Sequence, residues 1–162
     1  MNKKLATLTV RTTLAVLAVI GLMQTAATAQ SAQAHENKIV GVWNAQVAIL
    51  NCATGTQLAT FRGLNKFELG GTAQVVPATN PTALSAHMGI WNHVDGDNYK
   101  LSFKMFRFDP AGNTIGWQIV RFDIALNEDA TGYAGLGHAD VYDANGNIVG
   151  ASCPTLTGTR FE

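Results

Sequence analysis

The sequence lacks the short motifs that mark common catalytic and cofactor sites. It contains no P-loop, no dinucleotide-binding fingerprint and no H-E-x-x-H metal motif. None of its serines lies in a G-x-S-x-G nucleophile elbow. The sequence therefore predicts no catalytic residue, no cofactor and no resident metal.

Charge is also scarce: 14% of the residues are charged, and the formal net charge is zero. Three of the 11 basic residues and none of the 11 acidic residues lie in 1–34, so residues 35–162 carry a net charge of −3. There is neither a basic stripe nor a basic amphipathic helix. These features argue against binding to nucleic acid or to anionic membranes.

The first 34 residues have the layout of a secretory signal. Lys3, Lys4 and Arg11 precede an uncharged, mostly apolar run at 12–23, which is shorter than the roughly 20 residues of a membrane-spanning helix. Two A-x-A sites follow, at 27–29 and 32–34, and the charged stretch after Ala34 favours the second. We predict a cleaved signal peptide at 1–34, one domain at 35–162, and a periplasmic or extracellular protein with no stable membrane span after cleavage.

Only two cysteines are present, Cys52 and Cys153. In an exported chain two cysteines usually pair, so a disulfide is predicted, with two buried free thiols as the alternative. Cys52 follows the first predicted strand and Cys153 lies in the last. Their pairing would make those strands neighbours, as a closed barrel requires.

Short runs rich in β-branched and aromatic residues alternate with turn clusters, and no long helical pattern is present. Asp-Gly and Asn-Gly steps favour tight hairpins, and connections this short join antiparallel neighbours. The prediction is an all-β, antiparallel up-and-down meander of about eight strands, closed or nearly closed into a barrel, with a two-sheet sandwich as the alternative. The predicted strands are 39–50, 56–69, 72–77, 84–94, 98–108, 114–127, 132–143 and 147–161.

Two turns share the form Asp-x-x-Gly-Asn, at 109–113 and 143–147, which indicates a repeated hairpin design with glycine in the left-handed conformation. The strand at 114–127 carries large apolar residues on both faces. Such a strand is covered on its outer side by the loop 77–84, by the other protomer of a homodimer, or by tight packing.

Tryptophans and histidines are the candidate ligand-binding residues. In an extended strand, His87, Gly89, Trp91 and His93 share one face, and Gly89 could leave room for a ligand over the sheet. Histidines at the two ends of one strand are too far apart to bind one metal, so a metal site would need a partner such as His138. The tryptophans are either core residues or the wall of a pocket in the barrel mouth. The predicted ligand-binding set is Trp43, His87, Trp91, His93, Trp117 and His138.

Several segments resemble a group of exported bacterial proteins of unassigned function. The segments that carry the resemblance are 41–43, 51–55, 89–91, 106–109, 143–147 and 153–160. This resemblance implies a shared fold and the pairing of the two cysteines, and no activity. More loosely, Gly41-Val42-Trp43 at the first strand of an eight-strand meander is similar to the calycin group, the lipocalins and avidins, which implies a calycin-like architecture.

Three functional hypotheses follow from these observations. The leading one is a non-enzymatic barrel that binds a small apolar or amphipathic molecule. The second is a barrel-cavity enzyme for isomerisation or cyclisation, which requires a buried histidine hydrogen-bonded to a carboxylate inside a pocket. The third is an envelope interaction or structural protein that self-associates through an outer face near Phe106, Phe108 and Phe122.

Overall fold

The computed structural model describes residues 37–162, which form an antiparallel sheet closed into a barrel. Each strand from β1 to β7 pairs with the next along the chain, and the last strand, β9, pairs with both β7 and β1. The predicted all-β, up-and-down barrel is therefore confirmed, and closure excludes the open sandwich. The strands are β1 (Gly41–Leu50), β2 (Gln57–Phe67), β3 (Thr72–Pro77), β4 (His87–Asp95), β5 (Asn98–Phe108), β6 (Thr114–Leu126), β7 (Gly132–Asp143), β8 (Ile148–Ser152) and β9 (Thr155–Arg160).

The eighth position of the barrel is shared by β8 and β9. We predicted one strand at 147–161, but the chain leaves strand geometry at Cys153 and Pro154. Proline has no backbone N–H to donate to a neighbouring strand, which favours a break at this point. As a result, β8 pairs with β7 alone, whereas β9 pairs with β7 and with β1.

A disulfide links the turn after β1 to the short segment between β8 and β9. Cys52, in the turn after β1, is bonded to Cys153 across a sequence separation of 101 residues. Beside it, the backbone N–H of Cys153 donates to the carbonyl oxygen of Leu50 at 3.0 Å. The predicted pairing of the cysteines is confirmed, and it joins the two strands that close the barrel.

The two Asp-x-x-Gly-Asn turns have the same structure. In the first, Asp109 Oδ1 accepts hydrogen bonds from the backbone N–H groups of Ala111 and Asn113. Asp143 makes the equivalent bonds in the second turn. The glycines have φ values of +86° and +89°, which confirms the repeated hairpin design.

The barrel interior follows the alternation of the strands. On β5, the side chains of Tyr99, Leu101, Phe103 and Met105 are buried, and Phe106 lies on the outer surface. β6 likewise turns its residues from Val120 to Leu126 alternately inward. Its outer side is partly covered, since Trp117 stacks on Tyr142 of β7 with ring centroids 5.4 Å apart.

One end of the barrel is filled by aromatic side chains, and we call it the closed end. A 3-10 turn at Asn37–Ile39 precedes β1 there, and Ile39 is fully buried. Lys38 Nζ donates a hydrogen bond to Asp97 Oδ1 at 2.8 Å. Asp97 lies in the turn between β4 and β5, on the opposite wall of the barrel. The chain therefore crosses the barrel end before it enters β1. The closed-end cluster consists of Trp43, Phe67, Trp91, Tyr99 and Tyr133.

Arg160, the last residue of β9, holds residues 37–40, which we call the crossing segment, in place. Its guanidinium lies 4.2 Å from the centroid of the Trp43 ring. It also donates to the carbonyl oxygens of Lys38 at 2.6 Å, Val40 at 3.0 Å and Ala130 at 3.1 Å. One planar cation thus joins the crossing segment, β1 and the turn before β7.

Within residues 37–162 no helix has the length and apolar character required to span a bilayer. The predicted signal peptide and its cleavage after Ala34 lie outside the described residues and stay predictions.

Candidate functional site

A cavity of about 250 Å³ lies inside the barrel, on the side away from the closed-end cluster. Its wall is formed mainly by apolar side chains, among them Val47, Val75, Phe103 and Phe122. Partly exposed residues such as Leu84 form its rim, so the cavity opens at this end. The polar side chains that line it belong to Thr79, His87, Gln118 and Ser152.

Differences in side-chain size along the strands explain why the interior space is at this end. On β7, Tyr133 fills the closed end, whereas Ala139 faces the cavity near the other end of the strand. Ala139 pairs with Ser152 of β8, so two small side chains stand next to each other on this wall. Eight-stranded barrels are narrow, and small residues on one wall are enough to leave room for a small ligand.

His87 is the one titratable residue of the cavity wall within the described part of the chain. It is only 3% exposed, and neither ring nitrogen has a hydrogen-bond partner among the described residues. Its ring stacks on Phe103 with centroids 5.5 Å apart and an interplanar angle of 12°. Burial disfavours the imidazolium and lowers the pKa of His87 to about 4, so the ring is neutral at neutral pH.

Trp43 and Trp91 belong to the closed-end cluster, and neither lines the cavity. Trp43 is fully buried and donates from Nε1 to the carbonyl oxygen of Ile39 at 2.8 Å. Trp91 donates to the carbonyl oxygen of Glu68 at 2.9 Å. Both indole N–H groups are therefore satisfied within the closed end, and these two tryptophans act as core residues.

His93 and Trp117 lie outside the cavity as well. His93 Nε2 lies 2.9 Å from the carbonyl oxygen of Gly96, in the turn at the closed end, and its ring contacts Tyr99. Trp117 is on the outer surface, where Lys104 Nζ lies 4.6 Å from its ring centroid.

His138 stands on the outer surface beside the disulfide. Its Nε2 lies 2.9 Å from Asp140 Oδ1, and its Nδ1 lies 3.9 Å from Cys153 Sγ. A hydrogen bond from Arg121, at 2.9 Å, is the main cause that lowers the pKa of the Asp140 carboxyl, and His138 adds to it. The sulfur atoms of Cys52 and Cys153 lie within 4.8 Å of a ring nitrogen of His138, a spacing that ligands of one metal ion can have. They are bonded to each other, however, so they are not thiolate ligands in this state.

Gly89 does not provide the ligand space that its sequence position suggested. A Cβ atom there would lie 2.7 Å from Cβ of Phe103 and would also meet the carbonyl oxygen of Ser102. The neighbouring strand therefore takes up the room over Gly89. The glycine permits close strand packing rather than ligand access.

Of the six candidates named from sequence, the structure places His87 alone in the cavity wall. Sequence reasoning missed Phe103, Gln118, Ala139 and Ser152 as its neighbours. Alternation along β5 puts Phe103 on one face with Tyr99, Leu101 and Met105, but alternation gives no information on height within the barrel. Larger grooves, of about 630 Å³ and 520 Å³, lie over the outer surface around Leu136 and face solvent.

Comparison with known proteins yields one structural match. No family model matches the chain, and no curated protein matches it. Among solved structures, a redesigned beta barrel is 17% identical, with a TM-score of 0.47. The match covers 78% of this chain and 94% of that one.

Proposed function

We propose that the protein is an exported β-barrel that binds a small apolar or amphipathic molecule in the cavity, without catalysing a reaction. The observation that carries this proposal is His87, a buried imidazole in the wall of an apolar cavity whose ring nitrogens have no hydrogen-bond partner among residues 37–162. Buried polar groups in proteins are almost always hydrogen-bonded, and the few polar groups of an apolar pocket commonly orient the bound molecule. The open rim gives such a molecule a way in.

The arrangement of the histidines favours binding over catalysis. A barrel-cavity isomerase or cyclase needs a histidine oriented by a carboxylate inside a pocket. His87 is in the cavity, but the described cavity wall carries no carboxylate. His138 has a carboxylate partner, Asp140, but it is 51% exposed on the outer surface. The histidine in the cavity and the histidine with a carboxylate partner are therefore two different residues.

Self-association is the weaker alternative. Of the three phenylalanines proposed for an outer apolar face, Phe122 faces the interior and is 4% exposed. Phe106 is exposed, and Lys104 Nζ lies over its ring at 5.3 Å. A homodimer that uses the remaining outer surface stays a proposal, and the mass of the native protein, measured as described below, tests it too.

Export and a calycin-like architecture belong to the same proposal. The disulfide is consistent with an oxidising compartment, as a cleaved signal at 1–34 would require. Lipocalins and avidins are similar in having a G-x-W at the first strand of an eight-strand barrel, and Gly41 and Trp43 occupy those positions here. This analogy of architecture supports a small-molecule ligand.

Native mass spectrometry of protein purified from the compartment to which it is exported tests the proposal. We expect an extra mass that is retained under native conditions and lost on denaturation. The variant Ser152→Leu, which places a larger side chain in the cavity wall, should lose that mass. Its matched control, Ala151→Leu, adds the same side chain to the outward-facing neighbour and should keep it.

Two outcomes contradict the proposal. Native protein with no extra mass in the wild type would indicate a barrel that carries no ligand. Retention of the extra mass by Ser152→Leu would show that the molecule binds elsewhere, for example in the outer grooves.

A further inference from the structure

We infer that the cavity selects an uncharged molecule that carries a hydroxyl group, and that this hydroxyl hydrogen-bonds to His87. The inference rests on the proposed function, because it concerns the ligand of the same cavity. It goes further in naming the polar group that the ligand presents. Three properties of the cavity lead to it: its lack of charge, the hydrogen-bonding capacity of His87, and its size.

Charged ligands do not fit this wall. None of the described residues that line the cavity is an aspartate, glutamate, lysine or arginine. His87 is neutral at neutral pH, because burial lowers its pKa to about 4. A carboxylate or ammonium group would therefore lose its hydration without gaining an opposite charge, which is strongly unfavourable. The cavity thus favours an uncharged molecule.

A hydroxyl group is the simplest complement to the His87 ring. A neutral imidazole presents one N–H donor and one acceptor nitrogen. A hydroxyl can accept from the first or donate to the second, so it suits either tautomer. The ring stacks on Phe103 at an interplanar angle of 12°, and both nitrogens are almost fully buried, so the imidazole or the side chains around it must shift to bring a nitrogen into contact with the hydroxyl. A purely apolar molecule would leave both nitrogens unpaired.

Cavity size limits the rest of the molecule. The volume of about 250 Å³ is below the roughly 300–1,000 Å³ of sites for drug-sized ligands. An apolar protein cavity of about 150 Å³ is known to take benzene. A molecule with one or two rings is therefore of suitable size. Apolar residues such as Val47 and Phe122 would contact its hydrocarbon part.

Three probes of nearly one shape test the inference: 4-methylphenol, toluene and 4-methylbenzoate. Each is titrated at pH 7 into ligand-free wild type, with binding followed by NMR of the backbone amides. We expect 4-methylphenol to bind about tenfold more tightly than toluene, as one hydrogen bond to a buried group would give. The carboxylate, 4-methylbenzoate, should bind more weakly than both.

Variants of β4 assign the preference to His87. His87→Phe keeps an aromatic ring beside Phe103 but removes both nitrogens, so it should bind 4-methylphenol and toluene with similar affinity. His87→Gln retains a donor and an acceptor and should retain a preference for 4-methylphenol. His93→Phe, which changes a histidine of the same strand outside the cavity, should leave the tenfold preference intact.

The outcomes separate this inference from the proposed function. Equal binding of 4-methylphenol and toluene to the wild type would overturn the inference while leaving a ligand-binding cavity in place. Preferential binding of 4-methylbenzoate would overturn it as well. A preference for 4-methylphenol that survives in His87→Phe would show that another residue makes the bond. If no probe binds and no ligand is retained from the export compartment, both proposals fail.

Discussion

At the scale of single residues, His87 links the cavity to the stability of the fold. Its pKa falls from an ordinary value of 6.5 to about 4 on folding, because the buried ring cannot be hydrated as a cation. Below pH 6.5 the unfolded chain therefore binds a proton that the folded barrel does not. The free energy of unfolding should consequently decrease as the pH falls from 6.5 to 4, by no more than about 3 kcal/mol from this residue.

Urea unfolding at a series of pH values measures this effect. Carboxyl groups with lowered pKa values, such as those of Asp109 and Asp143, add their own dependence at lower pH. The comparison is therefore made with His87→Phe, which retains those groups. Wild type should lose stability relative to the variant between pH 6.5 and 4. Parallel curves over that range would show that the imidazole can be protonated in the folded barrel.

At the scale of the strands, the effect of replacing a glycine should depend on whether the added Cβ atom would overlap a neighbouring strand. Gly158 of β9 lies under the ring of Tyr133, and a Cβ atom there would overlap that ring. Tyr133 cannot move away, because it packs edge-on against Trp43 at 5.0 Å and is 5% exposed. Gly158→Ala should lower the free energy of unfolding by about 2 kcal/mol, as overpacking of a core does.

Gly150 of β8 provides the matched control for that substitution. A Cβ atom there would lie 3.8 Å from Cβ of Val141, which is an ordinary contact. Gly150→Ala should be neutral or should stabilise by about 0.5 kcal/mol, because glycine is entropically unfavourable in a strand. Chemical denaturation of both variants measures the two effects. Equal destabilisation would show that the Tyr133 contact is not the cause.

The strands themselves could be predicted, because their limits depend on local chemistry. The Asp-x-x-Gly-Asn turns set the ends of β5, β6, β7 and β8 through hydrogen bonds within five residues. The break at Pro154 was not predicted, although a proline inside a strand-like run is itself a signal for an interruption. What the sequence does not show is that β8 pairs with β7 alone, whereas β9 pairs with both β7 and β1.

The cavity could be predicted only in part. Alternation correctly puts His87 and Trp91 on one face of β4, but one lines a cavity and the other is in a filled core. The difference arises from the opposite wall, where Ala139 and Ser152 are small and Tyr133 is large. Which of these residues stand opposite a given position depends on the register of all the strands around the barrel. No single strand contains that information.

At the scale of the whole molecule, the disulfide should stabilise the barrel by restricting the unfolded chain. The Cys52–Cys153 bond closes a loop with a sequence separation of 101 residues. In the chain-entropy view this restriction of the unfolded chain stabilises the fold by about 4–5 kcal/mol. The double variant Cys52→Ser/Cys153→Ser should lose that amount in urea unfolding, and the reduced wild type should match it. A loss below about 1 kcal/mol would contradict the prediction.

The pairing of β1 with β9 also means that the strand order forms a closed ring, so a new break in a turn would remove no strand pairing. The backbone N–H of Phe161 donates to the carbonyl oxygen of Val42 at 2.9 Å, so the residue after β9 lies beside β1. A circular permutant could join residue 162 to residue 37 by a short linker and open at the exposed 109–113 turn. The same two cysteines would then close a loop of roughly 30 residues, and their bond should stabilise the permutant by about 1 kcal/mol less than it does the natural chain. The order in which the chain connects the strands would thus determine how much the disulfide stabilises the fold, even though every contact in the folded barrel is the same.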